Sequence, residues 1–193
     1  MTIRAIPQIG DPVLRTVTTD VKAEELTSVV VQTLIDDMIE TMADAMGAGI
    51  AATQVGESLS ICIVGVERNE RYPYKPPIPL TVLVNPVVRP IDCVTFLNNE
   101  GCLSVPIRGD LYRFMNIEVT ALDRRGAEST TVYRGLSAGT VQHEVDHLAG
   151  TLIVDRMHDA RTISTWENFQ EHGMADYVER IRPVIDATEP RAP

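Results

Sequence analysis

The segment Gln142-His143-Glu144-Val145-Asp146-His147-Leu148-Ala149-Gly150 constrains this chain more than any other. It ends a stretch in which Leu136, Val141, Val145 and Leu148 fall at helical spacing, so residues 136–148 are expected to form a helix stopped by Gly150. On such a helix His143 and His147 project about 40° apart, and both imidazoles can reach one ion. Glu144 stands beside the first of them, where a carboxylate can take a proton from a water on that ion. The pattern alone does not decide the matter, because a solvated surface helix with two histidines reads the same way. A catalytic metal centre needs a third protein ligand and an open position. The rest of the fold must therefore bring that ligand to this helix.

No histidine follows at the spacing of a three-histidine site; the next is His158. Glu167 and Glu171 are possible oxygen ligands but sit in an ordinary amphipathic stretch. Cys102 stands next to Gly101 in a non-periodic stretch between expected strands, whereas Cys62 and Cys93 read as core cysteines. A thiolate with two imidazoles suits iron(II), zinc, nickel or cobalt.

Composition narrows the function classes. A chain of 193 residues suits one domain, and three cysteines without framework spacing read as free thiols of a reducing compartment. A net charge of −10, with Lys22 and Lys75 as the only lysines, argues against general nucleic-acid binding. No export signal and no apolar run of membrane-spanning length is evident. The expectation is a cytoplasmic, acidic, single-domain protein covering residues 1–193, with 158–193 as a helical tail.

Along the chain, Leu26, Val30, Leu34, Met38 and Met42 predict one amphipathic helix over 24–46, closed by Gly47. Gly47-Ala48-Gly49 mimics a dinucleotide fingerprint but follows a helix, which excludes that reading; it suits backbone that something approaches closely. Strands are expected at 59–66, 81–84, 87–89 and 92–97, with 71–79 as an exposed proline-rich loop. After an ambiguous stretch, 117–122 and 130–133 read as a hairpin around Asp123-Arg124-Arg125-Gly126. Residues 152–154 suggest a brief strand. The tail is amphipathic from about 160, divided at Gly173 and disturbed near its end by Pro183.

Three stretches together, G-A-G-I-A-A-T-Q-V-G (47–56), E-G-C-L-S (100–104) and Q-H-E-V-D-H (142–147), closely resemble the motifs of peptide deformylases, in the right order. I-G-D-P-V-L-R (9–15), A-L-D-R-R-G (121–126) and D-R-M (155–157) are also similar to that family, so the resemblance covers roughly residues 5–157. It implies an α+β domain in which short, mostly antiparallel sheets surround the helix carrying the histidines. It implies one divalent metal per chain on Cys102, His143 and His147, iron(II) in cells with zinc, nickel or cobalt as substitutes. The implied reaction removes the N-formyl group from formyl-methionyl nascent peptides and releases formate, which brings the protein transiently near the ribosome. Glu144 is the implied general base and acid, with the Gln54 side chain and the Leu103 N–H as oxyanion donors. Gly49, Ile50 and Gly101 would offer backbone to the peptide, Ile50 and Leu136 would help line the methionine pocket, and Glu100, Asp146 and Arg113 would orient the ligands. Two features depart from the pattern: Ile50 replaces the usual leucine, and Gly139 replaces a larger side chain on one pocket wall. The tail, with eight acids against five arginines over 155–193, gives no basis for docking on RNA. Competing readings are a metallopeptidase with a glutamate as third ligand and a silent peptide-binding homologue.

Overall fold

A computed structural model describes residues 2–67 and 73–188 of the chain. Among them, strands β1 (Gly49–Ala51), β2 (Ile61–Val66) and β3 (Ile78–Pro90) join β6 (Asn116–Leu122) and β7 (Glu128–Arg134) in one sheet of order β1-β2-β3-β6-β7. All its pairings are antiparallel. β4 (Thr95–Cys102) and β5 (Val105–Phe114) form a separate hairpin. The helices are α1 (Ala23–Leu26), α2 (Val29–Asp44), α3 (Gly135–Leu148), α4 (Ile153–Arg156), α5 (Trp166–His172) and α6 (Met174–Thr188).

The β-branched run of β2 is buried nearly throughout, as a strand covered on both faces must be. In β6 only alternate residues, Ile117, Val119 and Ala121, are buried, so this strand presents one face to the core. That face receives α3, whose Ala138, Val141 and Leu148 join Val64, Ile117 and Val119 in one apolar cluster. The opposite side of α3 is turned toward the β4–β5 hairpin, and the histidines lie between the two sheets. The architecture is thus the expected α+β one, and no helix among the described residues is long and apolar enough to cross a membrane.

Several local expectations need correction. The helix expected over 24–46 breaks into α1 and α2, because Ser28 caps the second helix through its Oγ, which accepts the Val31 N–H at 3.3 Å. A strict four-residue repeat also drifts off a 3.6-residue helix: Val30 is 78% exposed and Val31, Leu34, Ile35, Met38 and Met42 are buried. Cys93 is exposed rather than core, since β4 begins only at Thr95. Residues 152–154 enter α4 instead of a strand; the Leu152 N–H donates to Asp155 Oδ2 at 2.8 Å and starts a helical turn. Residues 71–72 of the expected loop lie outside the described residues, while Pro76 is buried and Tyr74 meets Tyr177 edge-on at 5.3 Å. β3 already begins at Ile78.

The stretch around Cys102 is not a loop between strands but the end of β4, with a register shift between Gly101 and Cys102. The ambiguous residues after it are β5, disguised because Arg108, Asp110 and Arg113 are among its buried residues. Gly173 does divide the tail, but Pro183 sits inside α6 without ending it. Phe169 of α5 and Tyr177 and Ile181 of α6 pack on Phe96 and Leu136, so the tail closes over the end of α3 and the hairpin.

Candidate active site

α3 carries His143 and His147 on one face, with ring centroids 5.1 Å apart. The register shift at the end of β4 aims the Cys102 thiol at them, and its Sγ lies 3.3 Å from His147 Nε2. One ligand atom from each of the three residues falls within 4.8 Å of the others. Ligand atoms around a tetrahedral ion at 2.0–2.3 Å stand about 3.3–3.7 Å apart, so the triad fits one ion with little adjustment. Glu167 and Glu171 lie outside this cluster, which leaves Cys102 as the third candidate ligand.

The two imidazoles differ: burial would lower the His143 pKa, but Cys102 and Glu100 outweigh it and hold that ring well above the usual histidine range, while His147 is already in the neutral form a ligand needs. Burial, together with the nearby His143 and Arg113, holds the His147 pKa well below the usual histidine range, keeping the ring neutral as a ligand must be. His143 Nδ1 lies 2.9 Å from Glu100 Oε2. A carboxylate only accepts, so Nδ1 carries the proton and Nε2 is left for the ion. Burial would raise the pKa of Glu100, but the Arg113 guanidinium outweighs it and holds the carboxyl well below its ordinary range. Arg113 is itself buried, donating from Nε and Nη2 to the two Glu100 oxygens at 2.8 Å each and from Nη1 to Asp146 Oδ2 at 2.5 Å. An arginine with the look of a surface residue is therefore the bridge that steadies a ligand's partner.

Glu144 is 4% exposed, and its Oε2 has no hydrogen-bond partner. Burial pushes its pKa to about 7, which His143 and Lys75 only partly oppose, and a carboxyl poised there can exchange a proton near neutral pH. The side chain lies against Gly49: a Cβ at that position would come within 2.6 Å of Glu144 Cγ and Cδ. A side chain at this glycine of the first motif would thus displace the carboxyl of the third from its present place. Gln54 is held in one orientation, its Oε1 accepting the Ala51 N–H at 2.9 Å. Its Nε2 then points at Cys102 Sγ (3.4 Å) and Ser104 Oγ (3.2 Å), a fixed amide donor beside the triad. Leu103 meets this arrangement from the hairpin, and its Cδ1 would lie 3.0 Å from a Cβ on Gly47.

The cleft in front of these groups is open to solvent and is lined by Gly49, Gln54, Gly101, Cys102, His143 and Glu144. Two expected lining residues are elsewhere. The Ile50 side chain is fully buried in the core with Ile35 and Met38, and Leu136 is covered by the tail. Replacing a large side chain by Gly139 does not widen the wall: Asn98 Nδ2 and Phe96 Cζ would stand 3.3 Å from a Cβ there, so they occupy the space. The inner wall is instead polar, formed by Tyr74, Lys75, Asn98, Asn99, Arg108 and Thr140. Sequence reasoning missed all six. Isolated polar residues from a loop, two strands and a helix carry no periodicity; only the buried charges of residues 107–116 could have hinted at them.

Comparison with known proteins agrees with this geometry. Residues 3–162 match the family model described as polypeptide deformylase. Peptide deformylase 1 of Bordetella pertussis is 44% identical over 158 residues, covering 81% of this chain and 89% of that protein. Peptide deformylase 2 of Pseudomonas putida is 43% identical over 188 residues, covering 97% and 99%. The crystal structure of a class I type b peptide deformylase from Acinetobacter baumannii with Met-Ala-Ser bound superposes with a TM-score of 0.78 at 39% identity, covering 81% of this chain and 99% of that one. By its sequence, its fold and the convergence of three distant motifs on one cleft, this chain belongs to the peptide deformylase family.

Proposed function

We propose that this cleft carries out the family's reaction, removal of the N-terminal formyl group from nascent peptides, with Glu144 as the proton carrier and iron(II) as the ion used in cells. Cys102, His143 and His147 would hold the ion. When bound, such an ion makes a water more acidic and polarises the formyl oxygen. Among the described residues β1 pairs with β2 alone, and Gly49 at its start lines the cleft opposite Gly101, so an extended peptide would lie between Gly49 and Gly101. Glu144 Oε2 takes a proton from the attacking water. The carbonyl oxygen that gains charge meets Gln54 Nε2 and the Leu103 N–H, donors of a kind worth about 3–4 kcal/mol each. Glu144 then returns the proton to the peptide nitrogen as the C–N bond breaks, leaving formate and a free amine. The half-raised pKa of Glu144 suits both directions of transfer.

The observation that carries this reading is the unpartnered, buried Glu144 Oε2 beside a fixed Gln54 amide and a Cys-His-His triad. A glutamate-ligated peptidase has no use for Cys102 or for that amide. Substrates that are nascent chains place the protein in the cytoplasm, transiently near the ribosome. Zinc, nickel or cobalt would substitute for iron(II) outside the cell. Protein prepared without oxygen should contain about one iron per chain and release formate from a formyl-methionyl peptide. Glu144→Gln should keep the metal and lose at least about 10³-fold in rate; turnover within tenfold of the parent would refute the assigned role.

A further inference from the structure

Arg108 is only 2% exposed, yet it has no carboxylate partner among the described residues. Its Nε donates to Asn99 Oδ1 at 2.6 Å and its Nη2 to the Asn99 carbonyl at 3.2 Å. The guanidinium plane rests 3.8 Å from the Phe169 ring centroid and 4.8 Å from that of Trp166. Its Nη1 is buried and makes no hydrogen bond. Arg113, the neighbouring buried arginine, is held by two carboxylates; a guanidinium buried without one is costly unless something anionic meets it.

Arg108 lines the same cleft as the metal triad and Glu144. It pairs across the hairpin with Gly101, where an added Cβ would stand 3.6 Å from Nη1, so the residue opposite adds no side chain between that nitrogen and the cleft. A second cation reaches the cleft from another element: Lys75 Nζ donates to Thr140 Oγ1 at 3.2 Å, one helical turn before His143. Asn98 and Asn99 complete a wall with hydrogen-bonding groups where a purely apolar side chain would find none. The same cleft holds two carboxyls, Glu144 and the Arg113-paired Glu100, yet two cations on its wall stand out in a chain of net charge −10 with two lysines.

We infer that Arg108 recognises a carboxylate carried by the formylated substrate, with Lys75 strengthening the same positive field. This rests on the deformylase reading and adds a substrate class to it: formylated peptides bearing an acid. The acid has two possible sources. One is the side chain of the formylated residue itself, which would run along the α3 face past Thr140. The other is an acid further along the peptide, a second-residue side chain or the free C-terminus, which would cross Gly101.

Three acid/amide pairs separate these sources in the metal-loaded protein: formyl-Glu-Ala-Ser-amide against formyl-Gln-Ala-Ser-amide, formyl-Met-Glu-amide against formyl-Met-Gln-amide, and formyl-Met-Ala-Ser with a free against an amidated C-terminus. At least one acid should exceed its amide by tenfold or more in kcat/KM, and the pair that does so names the source. Arg108→Met should bring that ratio below threefold, and Arg108→Lys should keep part of it. The comparison in the parent protein needs no variant, so a poorly folding Arg108→Met does not blunt it. Ratios within threefold for all three pairs overturn the inference and leave Arg108 as a brace for α5. Formate release from none of the six peptides would instead overturn the deformylase reading. Calorimetric affinities for the same six peptides then decide carboxylate recognition by the same tenfold and threefold limits.

Discussion

Removing Arg113 tests whether the ion-pair chain behind the candidate metal ligands works as a unit. Its side chain is 3% exposed and donates three hydrogen bonds to two carboxylates, so Arg113→Met leaves Glu100, 7% exposed, as a buried charge without its counter-ion. Breaking one side of a buried pair costs about 3–5 kcal/mol. At about 2–4 °C per kcal/mol for a domain of this size, the apparent Tm should fall by roughly 6–20 °C. The double variant Glu100→Gln/Arg113→Met removes both charges while an amide oxygen can still accept from His143. It should regain about 1–3 kcal/mol relative to the sum of the two single variants. Denaturant unfolding of chelator-treated protein isolates this coupling from metal binding. Separately, both single variants should bind the metal about 10–100-fold more weakly, because the group that accepts from His143 loses either its charge or its anchor. Single-variant losses that simply add in the double variant would refute the idea of a coupled chain.

Gly49→Ala should leave the fold and the metal intact but displace Glu144, lowering kcat by at least about 10²-fold with little change in the temperature of unfolding; near-normal kcat would show that the carboxylate has room to move. Tyr177→Phe removes the hydroxyl that donates to Asn98 Oδ1 at 2.6 Å, and by stranding a buried acceptor should cost about 1–3 kcal/mol in denaturant unfolding. Asp37 supplies a pH test. Burial opposes its ionisation, but the Thr2 N–H and the Arg4 guanidinium outweigh burial, so its folded pKa lies below its ordinary value. The stability it contributes should be complete above the ordinary carboxylate pKa, near pH 4, and disappear as pH falls through the lower folded value. Asp37→Asn should flatten that part of the pH–stability curve, and an unchanged curve would contradict the assignment.

Much of the site was legible because its chemistry is written in short, local patterns. The helical spacing of residues 136–148 placed both histidines and Glu144 on one element, and the glycines flanking Ile50 and Cys102 marked close backbone approaches. The unreadable parts depended on partners distant in sequence. β5 escaped notice because its buried positions are charged, and only the folded hairpin shows that Arg113 faces Glu100 and Asp146. The break between α1 and α2 turns on one serine cap, which a four-residue apolar repeat conceals. Cys93 and Cys62 look alike in sequence, but one lies ahead of β4 in solvent and the other inside β2. Gly139 looked like added space, and Phe96 and Asn98 from another strand fill it.

The position of β1 at the edge of its sheet has a consequence for the behaviour of the protein at high concentration. An edge that accepts an extended peptide will in principle accept any extended segment, including one from a neighbouring molecule, which is how sheet proteins polymerise. Here the strand is three residues long and buried throughout, its Ala51 N–H is already taken by Gln54 Oε1, and the chain turns at once into a tight helical turn over Ala52–Val55. Gly49 also faces Glu144, a buried carboxyl flanking the groove that such a segment would have to enter. A passing strand therefore finds too few backbone partners to hold it, while in the proposed mode a formylated peptide would gain the rest of its affinity at the far end of the cleft. On the proposed binding mode, the brevity of β1 would limit self-association while still serving a peptide anchored elsewhere in the cleft.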